Sequence, residues 1–491
     1  MGLISFFWKR LRSLLGSLLF LALLLGLFVA YQVATFGQED DSLRLANKTA
    51  YLHAIHKGVA AGQAGPNIVF ILYDDMGYAD IGAGAVGSDM IKTPNIDRLA
   101  REGVMLSDFH SPAPVCTPSR AGFLTGRLAP RAGLPDVVFP TGSVTELIAS
   151  ILMNPKANVR LPSEEITLPD VLRAAGYATG MVGKWHLGDR SPSLPNDMGF
   201  DSFFGALYSN DMSPFALYRD TAIAMDAPVD QRYLTETYTK EAVGFIQKHA
   251  KDRFFLYFAH NFPHDPLSVR QERSGMSDAG LFGDVLEELD DSVGEIIATL
   301  EQTGNVENTL IIITSDNGPW FLGDAGNHRG RKGNTFEGGM RVPFIAYWPG
   351  VITGGRTEPA MAMGTDLLPT ILDVLDLPAP SDRVMDGRSI LDVLTRGAVS
   401  PHQYLYYYGG KRLFAVRDQR FKYRGPAPVS YSTDNWPIGV PVEQKEWLFD
   451  LQQDPRESYD TSDRYPEELQ RLRSAFQSKV REMEVNTRGW E

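Results

Sequence analysis

The 491 residues contain one cysteine, Cys116, and Arg120 stands four positions after it. Pro118 suits the first turn of a helix, where its missing N–H goes unnoticed. A short helix is therefore expected up to Gly126, with Cys116 just ahead of its N-terminus. Free backbone N–H groups and the helix dipole favour a bound anion there, and Arg120 adds a fixed cation one turn in. A nucleophile, an anion cradle and a guanidinium thus converge within five residues. A lone cysteine in a large chain is ordinarily a small buried hydrophobe. It is the neighbours of Cys116 that argue for chemistry.

Further polar residues fall at the ends of apolar runs. Asp74 and Asp75 follow Asn67–Tyr73 directly, and adjacent carboxylates repel unless a cation holds them. Asp316 and Asn317 follow the apolar run ending at Thr314 in the same way. These side chains offer only oxygen ligands, which suits Ca²⁺ or Mg²⁺. Lys184 and His186 lie two apart in Lys184-Trp185-His186-Leu187-Gly188, and alternate residues of an extended segment face the same way. His264 stands two before Pro266 after the apolar run 253–259, with His260 as a weaker rival for the same role. Lys332 sits in a glycine-rich loop. His328, Arg329 and Arg331 flank it, and a solvated loop face is expected for them in preference to the mouth of a pocket.

The run Cys116–Arg127 resembles the formylglycine signature of the type I sulfatases, C-x-P-S-R-x-x-x-L-T-G-R, at every fixed position. Lys184–Gly188, the His264 segment and Lys332–Gly339 are similar to the G-K-W-H-L-G, His-x-Pro and K-G-x-T-x-E-G-G motifs of that family, in the same chain order. The pattern is that of the arylsulfatase A-like branch, within the alkaline phosphatase superfamily, and extends from Asn67 to about Asp450.

The resemblance implies sulfate-ester hydrolysis, with a sulfate-ester small molecule or a glycan as substrate. It implies that Asp74, Asp75, Cys116, Asp316 and Asn317 surround a calcium ion. It also implies that a formylglycine-generating enzyme oxidises Cys116 to formylglycine (3-oxoalanine), whose gem-diol hydrate attacks sulfur. Arg120, Lys184 and Lys332 would then neutralise the sulfuryl oxygens. His264 would protonate the departing alcohol, and His186 would take a proton from the second hydroxyl. Two other readings remain at this level: a phosphate mono- or diester hydrolase of the same superfamily, and a non-catalytic binder of sulfated glycans in which Cys116 is never matured. The Cys-x-Pro-Ser-Arg run favours sulfate. A binder has no use for the acid–base pair.

Composition sets the frame around this constellation. A hydrophobic content of 43% and a charged content of 22% are those of a globular enzyme. The net charge of −13, from 47 basic and 60 acidic residues, argues against nucleic acid as a partner. With one cysteine, no intramolecular disulfide can form. Residues 1–12 read as a cytoplasmic tail containing Lys9, Arg10 and Arg12, and 13–38 as a transmembrane signal anchor. A cleaved signal peptide is the alternative, but 27–37 lacks an A-x-A-like site. Residues 39–65 read as a linker that lifts an extracytoplasmic (in a bacterium, periplasmic) catalytic domain off the membrane. In that linker Asn47-Lys48-Thr49 fits a glycosylation acceptor, and His53 and His56 fit a solvated helix face.

From 66 to 395 strands alternate with helices, which predicts an α/β domain with a large, mostly parallel sheet. The strands are expected at 67–73, 178–182, 253–259, 309–314 and 342–348, and helices at 94–101, 167–175, 234–248 and 282–300. Residues 396–491 are predicted to form a smaller antiparallel sheet, from 404–408, 414–417 and 421–424, with a final helix at 466–482. The loops 134–158 and 208–230 are expected to choose the alcohol half of the substrate.

Overall fold

The computed structural model describes residues 2–35, 40–59, 65–82, 87–146, 148, 159–426, 428–429, 442–443 and 445–491. Ten strands form the main sheet. In chain order they are β1 (Asn67–Tyr73), β2 (Val104–Leu106), β3 (Ala178–Gly183), β4 (Ser202–Gly205), β5 (Leu217–Arg219), β6 (Ala222–Met225), β7 (Phe254–Ala259), β8 (Thr309–Ser315), β9 (Phe344–Tyr347) and β10 (Arg356–Glu358). Their spatial order is β10-β2-β9-β8-β1-β7-β3-β4-β5-β6. The central block β8-β1-β7-β3-β4 is parallel throughout. Antiparallel pairs flank it, β9 against β8 on one side and β5 against β4 on the other.

The helices used below are α1 (Gly2–Thr35), α2 (Ser42–Gly58), α3 (Pro94–Glu102), α4 (Cys116–Thr125), α5 (Leu168–Ala174), α6 (Leu234–Lys248), α7 (Gly280–Gln302) and α8 (Pro466–Val485). They cover both faces of the sheet, which explains why β1 is apolar at every position but its first. Val69, Ile71 and Tyr73 pack into the core shared with α3, α6 and α7. Ile68, Phe70 and Leu72 pack into the opposite core with α4 and α5. A strand buried on both faces loses the hydrophobic–polar alternation of a half-exposed one. Each such Ile, Leu or Phe contributes about 1.5–3 kcal/mol of burial, so these central strands hold the framework still.

The second sheet is antiparallel, β11 (Leu405–Gly409), β12 (Arg412–Arg417), β13 (Phe421–Arg424) and β14 (Trp447–Asp450), in that spatial order. α8 lies across it, with Leu472 buried and Phe476 edge-on to Tyr423. The strand β14 has no counterpart among the sequence expectations, because four residues with one Asp carry too little pattern. The hairpin loop it follows lies largely outside the described residues.

At the N-terminus, α1 contains an apolar stretch, 10–31, long enough to cross a membrane. Residues 39–65 were expected to be a linker, and the structure departs from that at α2. Asp41 caps this helix by accepting from the N–H groups of Leu43 and Arg44. Ile55 is buried, and the Lys48 Nζ sits 2.7 Å from Asp170 and donates to the carbonyls of Ser163 and Glu165. Just ahead of the helix, Asp40 pairs with Arg160 at 2.8 Å. The segment is docked, because a buried ammonium must be paired where it lies. Lys48, the middle residue of the Asn47-Lys48-Thr49 match, is therefore inside the protein, whereas His53 and His56 are exposed as expected.

Candidate active site

Four neighbouring parallel strands, β8, β1, β7 and β3, end at the same edge of the sheet, the usual place for a ligand in an open α/β sheet. Each is followed there by one polar segment: Asp316-Asn317, Asp74-Asp75, His260–His264 and Lys184–His186. Parallel pairing therefore turns four distant stretches of sequence into one constellation. α4 brings Cys116 to it from the side, and the loop between β8 and β9 brings Lys332.

Cys116 is the first residue of α4 and is 3% exposed. Burial, with Asp74 nearby, pushes its thiol up to about 12, so the thiol is a poor source of thiolate. One turn on, Arg120 is fully buried. Its Nε donates to Asp316 Oδ2 at 2.9 Å and its Nη1 to the Lys184 carbonyl at 2.7 Å, while Nη2 has no hydrogen-bond partner. The helix ends at Gly126, φ 68, in the left-handed cap that glycine adopts freely. Arg127, the last residue of the signature run, points into a different environment. It pairs with both carboxylate oxygens of Glu165 at 2.9 Å and lies over the C-terminal Trp490.

Gly183 has φ 112, and a Cβ there would meet the Ala259 carbonyl oxygen at 1.7 Å, so only glycine lets β3 and β7 stay close where Lys184 departs. Lys184 donates to Asp74 Oδ2, and to Ser209 Oγ at 3.1 Å. The segment was expected to be extended through His186, but His186 has φ 61. That left-handed turn, rather than strand alternation, directs its ring. A carbonyl oxygen can only accept, so His186 Nε2, 3.1 Å from the Val138 carbonyl, is the protonated ring nitrogen. Its Nδ1 is left buried without a partner. Burial, followed by Lys184 and Arg120, holds this imidazole well below its ordinary pKa and therefore neutral.

Lys332 Nζ donates to Asp75 Oδ2 at 2.9 Å, and His264 Nε2 lies 3.8 Å from the same oxygen. His264 Nδ1 is engaged by the Asp265 carbonyl. His260 is instead fully buried, stacked on Tyr73 and packed on Phe258. Of the residues flanking Lys332, Arg329 is exposed, as expected of a solvated loop face, while His328 and Arg331 are half-buried, and all three turn to backbone carbonyls. Arg331 donates to the carbonyls of Trp320 and Gly323, Arg329 to that of Glu457, and His328 Nδ1 is 3.3 Å from that of Pro455.

These donors fit a hard divalent cation. Asp74 Oδ1 and Asn317 Oδ1 are buried and without hydrogen-bond partners, which is costly unless something positive meets them. Asp316 is pushed up to about 7, by burial first and the neighbouring Asp74 second. Ligand atoms of Asp74, Asp75, Cys116 and His264 lie within 4.8 Å of one another. Asn317 Nδ2 joins that group at 2.6 Å from Asp75 Oδ1, and Asp316 Oδ1 accepts from the Asp75 N–H at 3.3 Å. The ten residues expected to act on the sulfate or hold the metal are thus all buried or half-buried.

Sequence reasoning missed the residues that steady them. Ser209 holds Lys184, and Asn210 Nδ2 reaches the carbonyls of His264 and Pro266 at 3.3 and 3.2 Å. Both lie a few residues beyond β4, a short strand with too little local pattern to be expected from the sequence, so no signal there pointed to them. Val138 acts through its carbonyl, which no residue type reveals. Of the loop 134–158, positions 147 and 149–158 lie outside the described residues.

Comparison with known proteins converges on one family. Residues 66–377 match the family model described as Sulfatase, and 328–486 match one described as N-sulphoglucosamine sulphohydrolase, C-terminal. N-acetylgalactosamine-6-sulfatase of Mus musculus is 38% identical over 382 residues, covering 73% of this chain and 71% of that enzyme. Arylsulfatase A of Homo sapiens is 34% identical over 474 residues, covering 86% and 89%. A solved sulfatase from Pseudoalteromonas superposes with a TM-score of 0.74 at 26% identity, covering 91% of this chain and 96% of that one.

Proposed function

This chain belongs to the sulfatase family and hydrolyses sulfate esters, and from that premise we propose that it acts on a sulfated glycan with Cys116 matured to formylglycine and Ca²⁺ held by Asp74, Asp75, Asp316 and Asn317. The observation that carries this reading is the convergence on Cys116 of buried groups left without partners. Asp74 Oδ1 and Asn317 Oδ1 await a cation, and Arg120 Nη2 awaits an anion. A relative named for an amino-sugar sulfate supports the glycan. Formylglycine supplies an aldehyde whose hydrate offers the attacking hydroxyl, and the cation supplies charge beside the sulfate oxygens.

The chain's own residues have separable tasks. Arg120, Lys184 and Lys332 hold the sulfate oxygens and meet the charge that grows on them, in a pocket from which water is largely excluded. His264 donates a proton from Nε2 to the departing alcohol; its Nδ1 is engaged by the Asp265 carbonyl, and Asp75 Oδ2 lies 3.8 Å from Nε2. His186, neutral and with Nδ1 open, accepts a proton as sulfate is released. The apolar helix α1 is read as a retained signal anchor, with the body extracytoplasmic.

Peptide mass spectrometry of 102–120, on protein made with a formylglycine-generating enzyme, tests the nucleophile. An aldehyde or its hydrate is the expected mass. An unmodified thiol would redirect the reading to phosphoester hydrolysis or glycan binding. On matured protein, kcat/KM should be higher for a sulfated N-acetylhexosamine than for nitrophenyl sulfate, and the reverse order would remove the glycan assignment. The N-terminal sequence of the membrane fraction decides whether α1 is kept.

A further inference from the structure

A second buried cluster lies where the two sheets meet, built from Asp108, His110 and Glu337 of the larger part. Three such residues could hold a metal, but here the places are taken. Arg417, from β12, donates to Asp108 at 2.9 Å and to Glu337 at 2.8 Å. Lys422, from β13, reaches Glu337 at 3.1 Å, and Arg341 reaches it at 3.0 Å. Cations that belong to the protein saturate the carboxylates, so the cluster joins two parts of the fold.

Glu457 does something narrower within this junction. It follows β14, is fully buried, and has φ 50, a left-handed conformation uncommon for a residue with a side chain. Its backbone carbonyl accepts from Arg329 Nη1 at 2.8 Å, and its Oε2 accepts from the Glu337 N–H at 2.6 Å. Arg329 and Glu337 bracket Lys332. One residue of the C-terminal part thus grips both ends of the loop that carries a pocket cation. The strained backbone aims carbonyl and carboxylate at those two ends together, while Lys422 Nζ balances the charge 3.0 Å from Oε1. The loop has little freedom left, since the Lys332 N–H donates to Pro319 at 2.9 Å and the Gly333 N–H to Pro114, two residues before Cys116, at 2.7 Å.

We propose that Glu457 is a positioning residue for sulfate binding, acting through the Lys332 loop from outside the pocket. The inference rests on the reading of Lys332 as a sulfate ligand. Its task is preorganisation: an ammonium held within a fraction of an ångström serves a growing charge far better than a mobile one.

A double-mutant cycle on the full-length, matured enzyme tests it, with inorganic sulfate as competitive inhibitor. In Glu457→Ala, kcat should fall ~10-fold and the inhibition constant for sulfate should rise by a similar factor. In a Lys332→Ala background the same change should have less than about a 2-fold further effect. Glu457→Gln keeps an acceptor for the Glu337 N–H and should restore most of the loss. If Glu457→Ala does not fold, Arg329→Met removes the other grip and should show the same coupling on a smaller scale. Equal losses in both backgrounds, or unchanged kcat and sulfate inhibition in folded Glu457→Ala, would overturn the proposal. Unchanged turnover in Lys332→Ala alone would instead overturn the reading of Lys332, and the inference with it.

Discussion

The pocket around Cys116 and the junction around Glu337 are both buried and crowded with charge, and they treat that charge in opposite ways. In the junction, both oxygens of Asp108 and of Glu337 and both ring nitrogens of His110 have partners within the chain. In the pocket, Asp74 Oδ1, Asn317 Oδ1, Arg120 Nη2 and His186 Nδ1 have no hydrogen-bond partner, although Arg120 Nη2 lies 3.8 Å from Asp74 Oδ2. Desolvating a polar group and leaving it unpaired costs on the order of 1–3 kcal/mol. A fold that accepts this several times over in one place keeps those atoms for something else. Asp108, His110 and Glu337 are spent on joining two parts of the fold, whereas the open atoms around Cys116 are left for a ligand, although the two clusters draw on the same residue types.

Substitutions can break that contrast. Cys116→Ala is expected to lower turnover by ~10³-fold or more while the unfolding midpoint stays near that of the parent. Full activity in that variant would end the mechanism. Lys184→Met should lower kcat by ~10²–10³-fold, since it removes one cation from the developing charge, and stopped assays at saturating substrate would read it. Dialysis against a chelator should lower activity ~10-fold or more and lower Tm, with Ca²⁺ restoring both, because Asp74, Asp75 and Asp316 then repel one another. An apo-protein as stable as the parent would mean that the open oxygens are not a cation site.

The junction should answer differently. Arg417→Met leaves Asp108 and Glu337 short of a buried partner and should cost about 3–5 kcal/mol in urea unfolding. Turnover per folded molecule should change less than ~10-fold. A variant that unfolds no more easily but loses catalysis would erase the distinction. The smallest effect is expected at the N-terminal clamp, where Lys48→Met removes the ion pair with Asp170. A loss of about 1–3 kcal/mol with unaltered kcat is anticipated, and no loss would return α2 to the status of a tether.

Much of this was legible in the residues. The strands 67–73, 254–259 and 309–315 and the helices 234–248 and 280–302 declare themselves by apolar runs or helical periodicity, and the structure places them within two residues of expectation. The short elements, β2, β4, β5, β6 and β14, are set by pairing with neighbours and leave little local pattern. The orienting turn at His186 was equally hidden, because its backbone N–H is bonded to the Leu207 carbonyl beyond β4 and its ring to the Val138 carbonyl, both distant in sequence.

What the sequence determined alone is the chemistry: one cysteine in a twelve-residue signature, carboxylates at two strand ends, and the lysines and histidines that follow others. Residue type and local spacing suffice for that, since strand ends and helix starts are local properties. Only the tertiary structure decided which of these groups meet and which stay open. Parallel pairing of β8, β1, β7 and β3 assembles the pocket from segments hundreds of residues apart, and burial leaves some of its atoms unpaired. The docking of the C-terminal sheet then makes Glu457 a neighbour of the Lys332 loop. Such relations depend on long-range register and packing, in which a slip of one residue would exchange the two faces of a strand.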